Sequence, residues 1–549
     1  MDAGSAGELL LEGSRALEQA DWEAAHAAFR SALEAGESPE AHDGLGQALW
    51  FQGSVAEAIA ARERAFEGYL QADRCDDAAR VAVWVSHQHL IGGRSSAARG
   101  WLARSERALQ STGECLGHGW VAVERARHAQ GVDEQIAHAR RAMEIARAAG
   151  AGDLEVFALS LLGRATVNAG HHEEGMQLLE EAMAAAAAGR VRNVHTLGEA
   201  YCNLILACAG AGEWERATEW CELVDEFARS HAVAPLFGAC RTVHADVLLA
   251  TGRWPEAEDA LERALATHAR YIPEMGAPTA ATLAELRVRQ GRLAEAEKLL
   301  AGRQEHPLSL RALALLRIAE NRPQVAVALL ERGLRATEGD AVRATQLLAP
   351  LVDGRLACGD TQGARTAADE LARLAELSGI RLVAARADLA AARVAGATGS
   401  PAEAAEPARR ALAAFSALLM PLDAGEARLE LARALADELP EVAADEARTA
   451  YQAFRELGAS RAMDAAAGIL RDLGSAAGAR PRTGGELTAR EQEVLELIAL
   501  GMSNARIAQT LVISEKTAGH HVSRILTKLG AHNRTEAAAH AARLASVTR

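Results

Sequence analysis

Lysine is almost missing from this chain: Lys298, Lys516 and Lys528 are the three among 549 residues, so arginine carries nearly all the positive charge. Aromatic residues are scarce as well, at 4%. That disfavours a large β-core and, with alanine abundant throughout, favours closely packed helices. No run approaches the roughly 20 charge-free apolar residues that span a bilayer. The opening Met1-Asp2-Ala3-Gly4 has neither the basic nor the apolar part of an export signal. The expectation is a cytoplasmic protein with no membrane partner. Cys75, Cys115, Cys202, Cys208, Cys221, Cys240 and Cys358 form no CxxC pair. Scattered thiols in odd number fit a reducing compartment rather than a disulfide framework, and no Cys/His cluster has zinc spacing. A phosphate-binding loop needs a lysine directly after a glycine, and none of the three lysines follows one. Gly-x-Ser-x-Gly, HExxH and dinucleotide fingerprints are missing too. The chain is therefore expected not to be an enzyme, with no catalytic, cofactor-binding or metal residues assigned and no ATP binding.

What is present is length and an uneven charge. A chain of 549 residues exceeds the roughly 250–300 at which one hydrophobic core stops growing, so it is several domains or a repeat array. The net charge is −15, yet residues 504–549 hold seven Arg/Lys against two Asp/Glu. An acidic body with a small basic end implies that only the end meets a polyanion.

The acidic body repeats itself. Gly212-Glu213-Trp214-Glu215-Arg216-Ala217, Gly252-Arg253-Trp254-Pro255-Glu256-Ala257 and Gly291-Arg292-Leu293-Ala294-Glu295-Ala296 are versions of one stretch. Its first residue falls at Ala20, Gly53, Gly93, Gly131, Gly170, Gly212, Gly252, Gly291, Asn321, Gly359 and Gly399, mostly 38–42 residues apart, with one short step of 30 before Asn321. Five positions on, ten of the eleven residues are Ala or Gly, the exception being Ile136. Glycine suits the left-handed residue that closes a helix, proline suits the first turn of the next, and a small residue there lets the two helices approach. Each unit reads as a helical hairpin that must stack on its neighbours to bury both faces. The pattern resembles the tetratricopeptide repeat, in a lengthened form. Residues 1–472 are thus expected to be a tetratricopeptide-like α-solenoid, a sensor or interaction region for an unidentified protein or small-molecule effector. Trp84, Trp101 and Trp120 are expected in its core, and the pair His171-His172 in a solvated turn.

A Gly/Ala/Ser/Arg/Pro stretch at 473–484 has linker composition and an end-to-end reach of about 20 Å. Four helices follow within 485–549. Thr488-Ala489-Arg490-Glu491 reads as a capping box for the first, ended by Gly501. Ser503 caps a second at Asn504 to Leu511, Ser514 a third at Glu515 to Leu529, and Asn533 a fourth from Arg534 to about Ala545. In the third, Ala518, Val522, Ile525, Leu526 and Leu529 form the apolar stripe, and Lys516, Thr517, Gly519, His520, Ser523, Arg524 and Lys528 lie opposite.

The run Leu487-Thr488-x-Arg490-Glu491-x-Glu493-Val494-Leu495-x-Leu497-Ile498-Ala499-x-Gly501-x-Ser503-Asn504 resembles the opening of the LuxR-type helix-turn-helix domain. So does its continuation through Ile507-Ala508, Leu511, Ile513-Ser514, Thr517, His521-Val522, Ile525-Leu526 and Lys528-Leu529. The fold expected for the whole is all-α, a helical-hairpin solenoid followed by a four-helix LuxR-type domain. The resemblance implies duplex DNA as partner, with the third helix in the major groove. Contacts are expected from Asn504, Lys516, Thr517, Gly519, His520, His521, Ser523, Arg524 and Lys528. It also implies a homodimer through 534–545, with RNA polymerase as a further possible partner. Two residues depart from the family: Ala518 replaces a branched apolar residue and Gly519 a long polar one. The large repeat-containing members, which resemble the maltose-system activator, place an ATPase ahead of their repeats, and no such sequence is found here. The alternative reading is an interaction scaffold whose C-terminal domain does not bind DNA.

Overall fold

A small residue in a left-handed turn, recurring along the chain, specifies a train of helical hairpins, and a computed structural model of the protein has that architecture. It describes residues 3–230, 234–337, 339–474, 489–499, 501–511, 515–529, 534 and 536–538. The chain divides into two compact units, Met1–Gly474 and Ser475–Arg549. Beyond Gly474, the expected linker lies outside the described residues. The described secondary structure is helical throughout, without strands. No described helix is long and apolar enough to cross a membrane.

Among the described residues, twelve hairpins make up the first unit, from Ala3–Glu18 with Trp22–Ala35 to Pro421–Leu435 with Pro440–Leu457, followed by the helix Ser460–Asp472. Ten of the eleven anticipated turn residues have positive φ, including the non-glycines Ala20 (56°) and Asn321 (61°). Five places later the chain has entered the second helix, and there Ala25, Ala58, Ala98, Ala217, Ala257, Ala296, Ala326 and Ala364 are completely buried. The fifth hairpin shows why the position must be small: a Cβ on Gly175 would lie 2.6 Å from the Gly163 carbonyl oxygen of the partner helix. The short step before Asn321 corresponds to a short second helix, Leu293–Leu300.

One unit breaks the pattern. Gly131 is extended (φ −110°, ψ 155°), because the preceding helix Leu116–His128 exits through an extended Ala129. The next helix starts in a different phase, so Ile136 is half-buried and Ala139 and Ala142 take the close contacts. A twelfth hairpin, Pro421–Leu435 with Pro440–Leu457, has no marker at all.

The two helices of a hairpin are buried differently. First helices are covered on nearly all sides; Gly152–Asn168 buries twelve of seventeen residues. Second helices bury one stripe, as Ala364, Ala367, Ala368, Leu371, Leu374 and Ser378 do in Thr361–Ser378, the spacing of a helix with one face to water. The first helices therefore form the inner layer. The tryptophans belong to the core as anticipated, with Trp84, Trp101 and Trp120 no more than 8% exposed.

The train also closes on itself. The turns of four hairpins each meet the hairpin five places further on: Gly53 meets Tyr271, Gly170 meets Leu377, Gly212 meets Leu382 and Gly252 meets Pro421, while Gly291 of the eighth hairpin meets Ser460 of the closing helix. Hydrogen bonds reinforce this: Ser460 Oγ donates to the Gln290 carbonyl (2.7 Å), and Arg461 to that of Ala319 (2.9 Å). Successive turns of the coil rest on one another.

The thiols are less scattered than the sequence suggests. Stacking of Val194–Ala211 on Ala234–Ala250 brings the Sγ atoms of Cys202 and Cys240 to 3.1 Å, with Cys221 packed beside Cys240. The Cys240 contact and burial hold the Cys202 thiol well above its ordinary range. Burial pushes Cys208 and Cys221 up to about 12. Because the thiolate is the nucleophile, iodoacetamide at pH 8 should alkylate exposed Cys358 first and Cys202, Cys208 and Cys221 last, read by peptide mass spectrometry over time. Early labelling of Cys208 or Cys221 would contradict the packing.

Candidate nucleic-acid interface

The C-terminal unit is built around Val494, Leu495, Ile498, Ile507, Ala508, Ala518, Val522, Ile525 and Ala537, each at most 8% exposed. These residues come from helices Ala489–Ala499, Asn504–Leu511 and Glu515–Leu529 and from the short helical stretch 536–538. Local signals explain the first turn. The chain leaves the first helix through Gly501 at φ 76°, where the amides of Gly501 and Met502 donate to the carbonyls of Ile498 and Leu497. Ser503 then caps the second helix, its hydroxyl accepting from the Arg506 amide at 3.4 Å. Thr488, Ser514 and Asn533, expected as the other caps, lie outside the described residues, as does 539–545 of the expected fourth helix.

Helix Glu515–Leu529 buries Ala518, Val522 and Ile525, as its apolar spacing requires. His520 and Ser523 are exposed, and Gly519 and His521 half-buried. The side chains of Lys516, Thr517, Arg524 and Lys528 fall outside the described set, although their positions are on this helix. Asn504 opens the second helix next to Gly519: a Cβ on that glycine would sit 3.5 Å from the Asn504 amide nitrogen. The Asn504 side-chain oxygen accepts from Arg534 at 2.8 Å, and Arg534 also donates to the Met502 carbonyl. This guanidinium ties the fourth helical segment to the loop before the second helix, a role that sequence spacing does not disclose.

At Gly519 a Cβ would make only ordinary contact and φ is not positive, so neither space nor backbone requires glycine. Gly519→Ala is expected to stabilise the C-terminal unit by up to about 1 kcal/mol through helix propensity alone. A higher melting temperature of that unit checks this, and a fall would reveal a contact that glycine serves.

In the solenoid, first helices line a channel of about 790 Å³. Its wall carries Arg164, Arg289, Arg386 and Arg393 together with Asp246 and Asp353. Burial, with Glu285 nearby, pushes the Asp246 carboxyl up to about 7. Burial likewise raises Asp353 to about 6 although Arg393 opposes it. Against burial, Asp353, Glu426 and Glu430 hold Arg393 above the ordinary guanidinium range. Opposed charges thus line a passage of ligand size. Of the pair at the hairpin turn, His171 is exposed, whereas His172 Nε2 lies 2.8 Å from Glu213 Oε1.

These features define a helical-hairpin solenoid joined to a compact helix-turn-helix unit. Residues 485–541 match the sequence model of the family described as bacterial regulatory proteins, luxR family, so the C-terminal unit carries a LuxR-type helix-turn-helix. Related chains include the DNA-binding transcriptional activator DevR/DosR of Mycobacterium tuberculosis, 38% identical over 96 residues, covering 17% of this chain and 44% of that one. The transcriptional regulatory protein DegU of Brevibacillus brevis is 53% identical over 51 residues, covering 9% and 22%. The chain thus spans less than half the length of these relatives. Among solved structures, the APC/C hetero-tetramer Cut9–Hcn1 aligns with 85% of this chain and 96% of its own at 13% identity and a TM-score of 0.46. A Rap protein complexed with competence and sporulation factor aligns with 68% and 100% at 12% identity and 0.40.

Proposed function

We propose that the chain is a cytoplasmic, non-enzymatic transcription regulator that binds duplex DNA with the C-terminal unit as a homodimer. In this reading, helix Glu515–Leu529 enters the major groove. The observation that carries it is the LuxR-type match over 485–541, joined to a helix whose buried stripe leaves His520 and Ser523 exposed. The exposed positions are those from which polar side chains read base edges, and the local excess of cations suits phosphates. The dimer contact is assigned to 534–545, and RNA polymerase is a second protein partner. Occupation of the solenoid channel by a charged small molecule or a peptide controls the DNA-bound state; its opposed arginines and carboxylates support this choice.

The test is selection of binding sites from random duplexes by the full chain, followed by gel shift. A selected motif with two-fold symmetry is the expected result, because a two-fold protein dimer reads a palindromic site. Failure to enrich any motif, with no shift at low salt, would favour the scaffold reading instead.

A further inference from the structure

The inside of the solenoid holds a second candidate site, made by residues that no repeat motif contains. His87 lies on Cys75–Ile91, in the third hairpin, and His195 and Glu199 on Val194–Ala211, in the sixth. His195 and Glu199 are one helical turn apart and share a face; coiling of the train brings His87 to them. His87 and His195 are 5% and 7% exposed, and Trp84 packs edge-on to His195 with centroids 4.7 Å apart.

Both imidazole Nε2 atoms are buried without a hydrogen-bond partner among the described residues. Each points at the same carboxylate oxygen, Glu199 Oε1, from 3.8 Å for His87 and 3.7 Å for His195. Those separations are too long for hydrogen bonds, and leaving two buried ring nitrogens unsatisfied is costly. They are close to the spacing of ligands around one ion. Metal–ligand bonds of about 2.0–2.2 Å in tetrahedral array put donor atoms roughly 3.3–3.6 Å apart, a few tenths of an ångström inside the two imidazole–carboxylate separations, and the three donor atoms all lie within 4.8 Å of one another. The other carboxylate oxygen, Oε2, faces Arg127 at 3.5 Å, so the guanidinium and the two imidazoles use different oxygens.

Size decides against an organic ligand. The cavity touching both imidazoles, walled also by Gln88, Asn193 and Arg62, leaves about 10 Å³ for the centre of a water-sized sphere, roughly the room of one water molecule. His87 and His195 both border this water-sized space, as the open position of a zinc-type site requires.

We propose that His87, His195 and Glu199 bind one divalent transition-metal ion of the zinc class, with a water as fourth ligand. Two imidazoles and one carboxylate suit such an ion better than magnesium or calcium, which take all-oxygen sets. The ion links the third and sixth hairpins across the interior, so binding stabilises the coiled state of the solenoid by mass action. This does not depend on DNA binding.

The experiment uses the untagged full chain, stripped with a chelator and dialysed. Titration with Zn²⁺ by calorimetry should show one equivalent bound with micromolar or tighter affinity and a higher melting temperature. Co²⁺ should give visible absorption of a low-coordinate site. Zinc-edge X-ray absorption of the wild-type chain should show two imidazoles, a readout that needs no variant to fold. Losing an outer partner alone costs about 10–100-fold in affinity, so His87→Ala and His195→Ala should each cost at least that. His171→Ala should change nothing. No Zn²⁺ or Co²⁺ uptake by wild type, a spectrum without imidazole, or full uptake by folded His195→Ala would overturn the assignment.

Discussion

Raising salt from about 50 to 200 mM should weaken binding of the chain to its selected duplex on the order of 10³-fold, the loss typical of six or more phosphate contacts. The reasoning is local. The segment from Asn504 onward carries Arg506, Lys516, Arg524, Lys528 and Arg534 within one short stretch, and a dimer doubles that set. Arg534 is committed to Asn504 and Met502, which leaves the others for DNA. Lys516 and Lys528 stand near the two ends of helix Glu515–Leu529; with that helix in the major groove as proposed, the groove walls beside them are phosphate. Replacing either by Ala should weaken all sequences alike and lower the salt slope by about one. Arg524 stands mid-helix beside exposed Ser523, from where a guanidinium can bond two acceptors of guanine, a contact worth about 1–3 kcal/mol of discrimination. Arg524→Ala should therefore relax the selected motif. A Lys528→Ala variant that changes the motif while Arg524→Ala leaves it intact would require a different seating of the helix. Binding indifferent to salt would remove the phosphate reading altogether.

Trp254→Ala should destabilise the solenoid by about 3–5 kcal/mol, the range for deleting a buried large aromatic side chain. Trp254 is 1% exposed, and its indole Nε1 donates to the Leu249 carbonyl at 3.1 Å. It thus fills the hairpin and satisfies an acceptor at the end of the preceding helix. The substitution opens a cavity beside Ala257 and Leu261, both fully buried, where closely packed helices have little freedom to collapse. Thermal and urea unfolding followed by circular dichroism measure the loss. A change below about 0.5 kcal/mol, the usual level for surface substitutions, would mean that the seventh hairpin is not packed as described.

The hairpin train was legible because its turns need a backbone conformation that few residues tolerate, so glycine and asparagine mark them directly. Where a turn avoids that conformation the signal vanishes. The twelfth hairpin passes through Ala436 at φ −55° and leaves no mark beyond Pro440, and Gly131 marks a turn without adopting the conformation. In the C-terminal unit, Ser503 and Gly501 could be read because caps and stops act within a few residues. The Asn504–Arg534 bond could not, since its partners meet only after the fourth segment docks. Cys202 with Cys240, and His87 with His195 and Glu199, were hidden for the same reason: each group is assembled from different hairpins. The one local clue to the latter was the i, i+4 pair His195 and Glu199, a spacing equally common in solvated helix faces.

Open helical arrays can gain or lose a repeat during evolution with little penalty, because each unit meets only its neighbours. Here the turn glycines of one coil fit against the hairpin five places on, so the repeat count is locked. Deleting a single hairpin from the middle would hand Gly212 or Gly252 a partner shaped for a different position, and every hairpin across the deletion would inherit the mismatch. Lineages of this solenoid should vary by loop length and surface composition while holding the number of hairpins between such partners fixed.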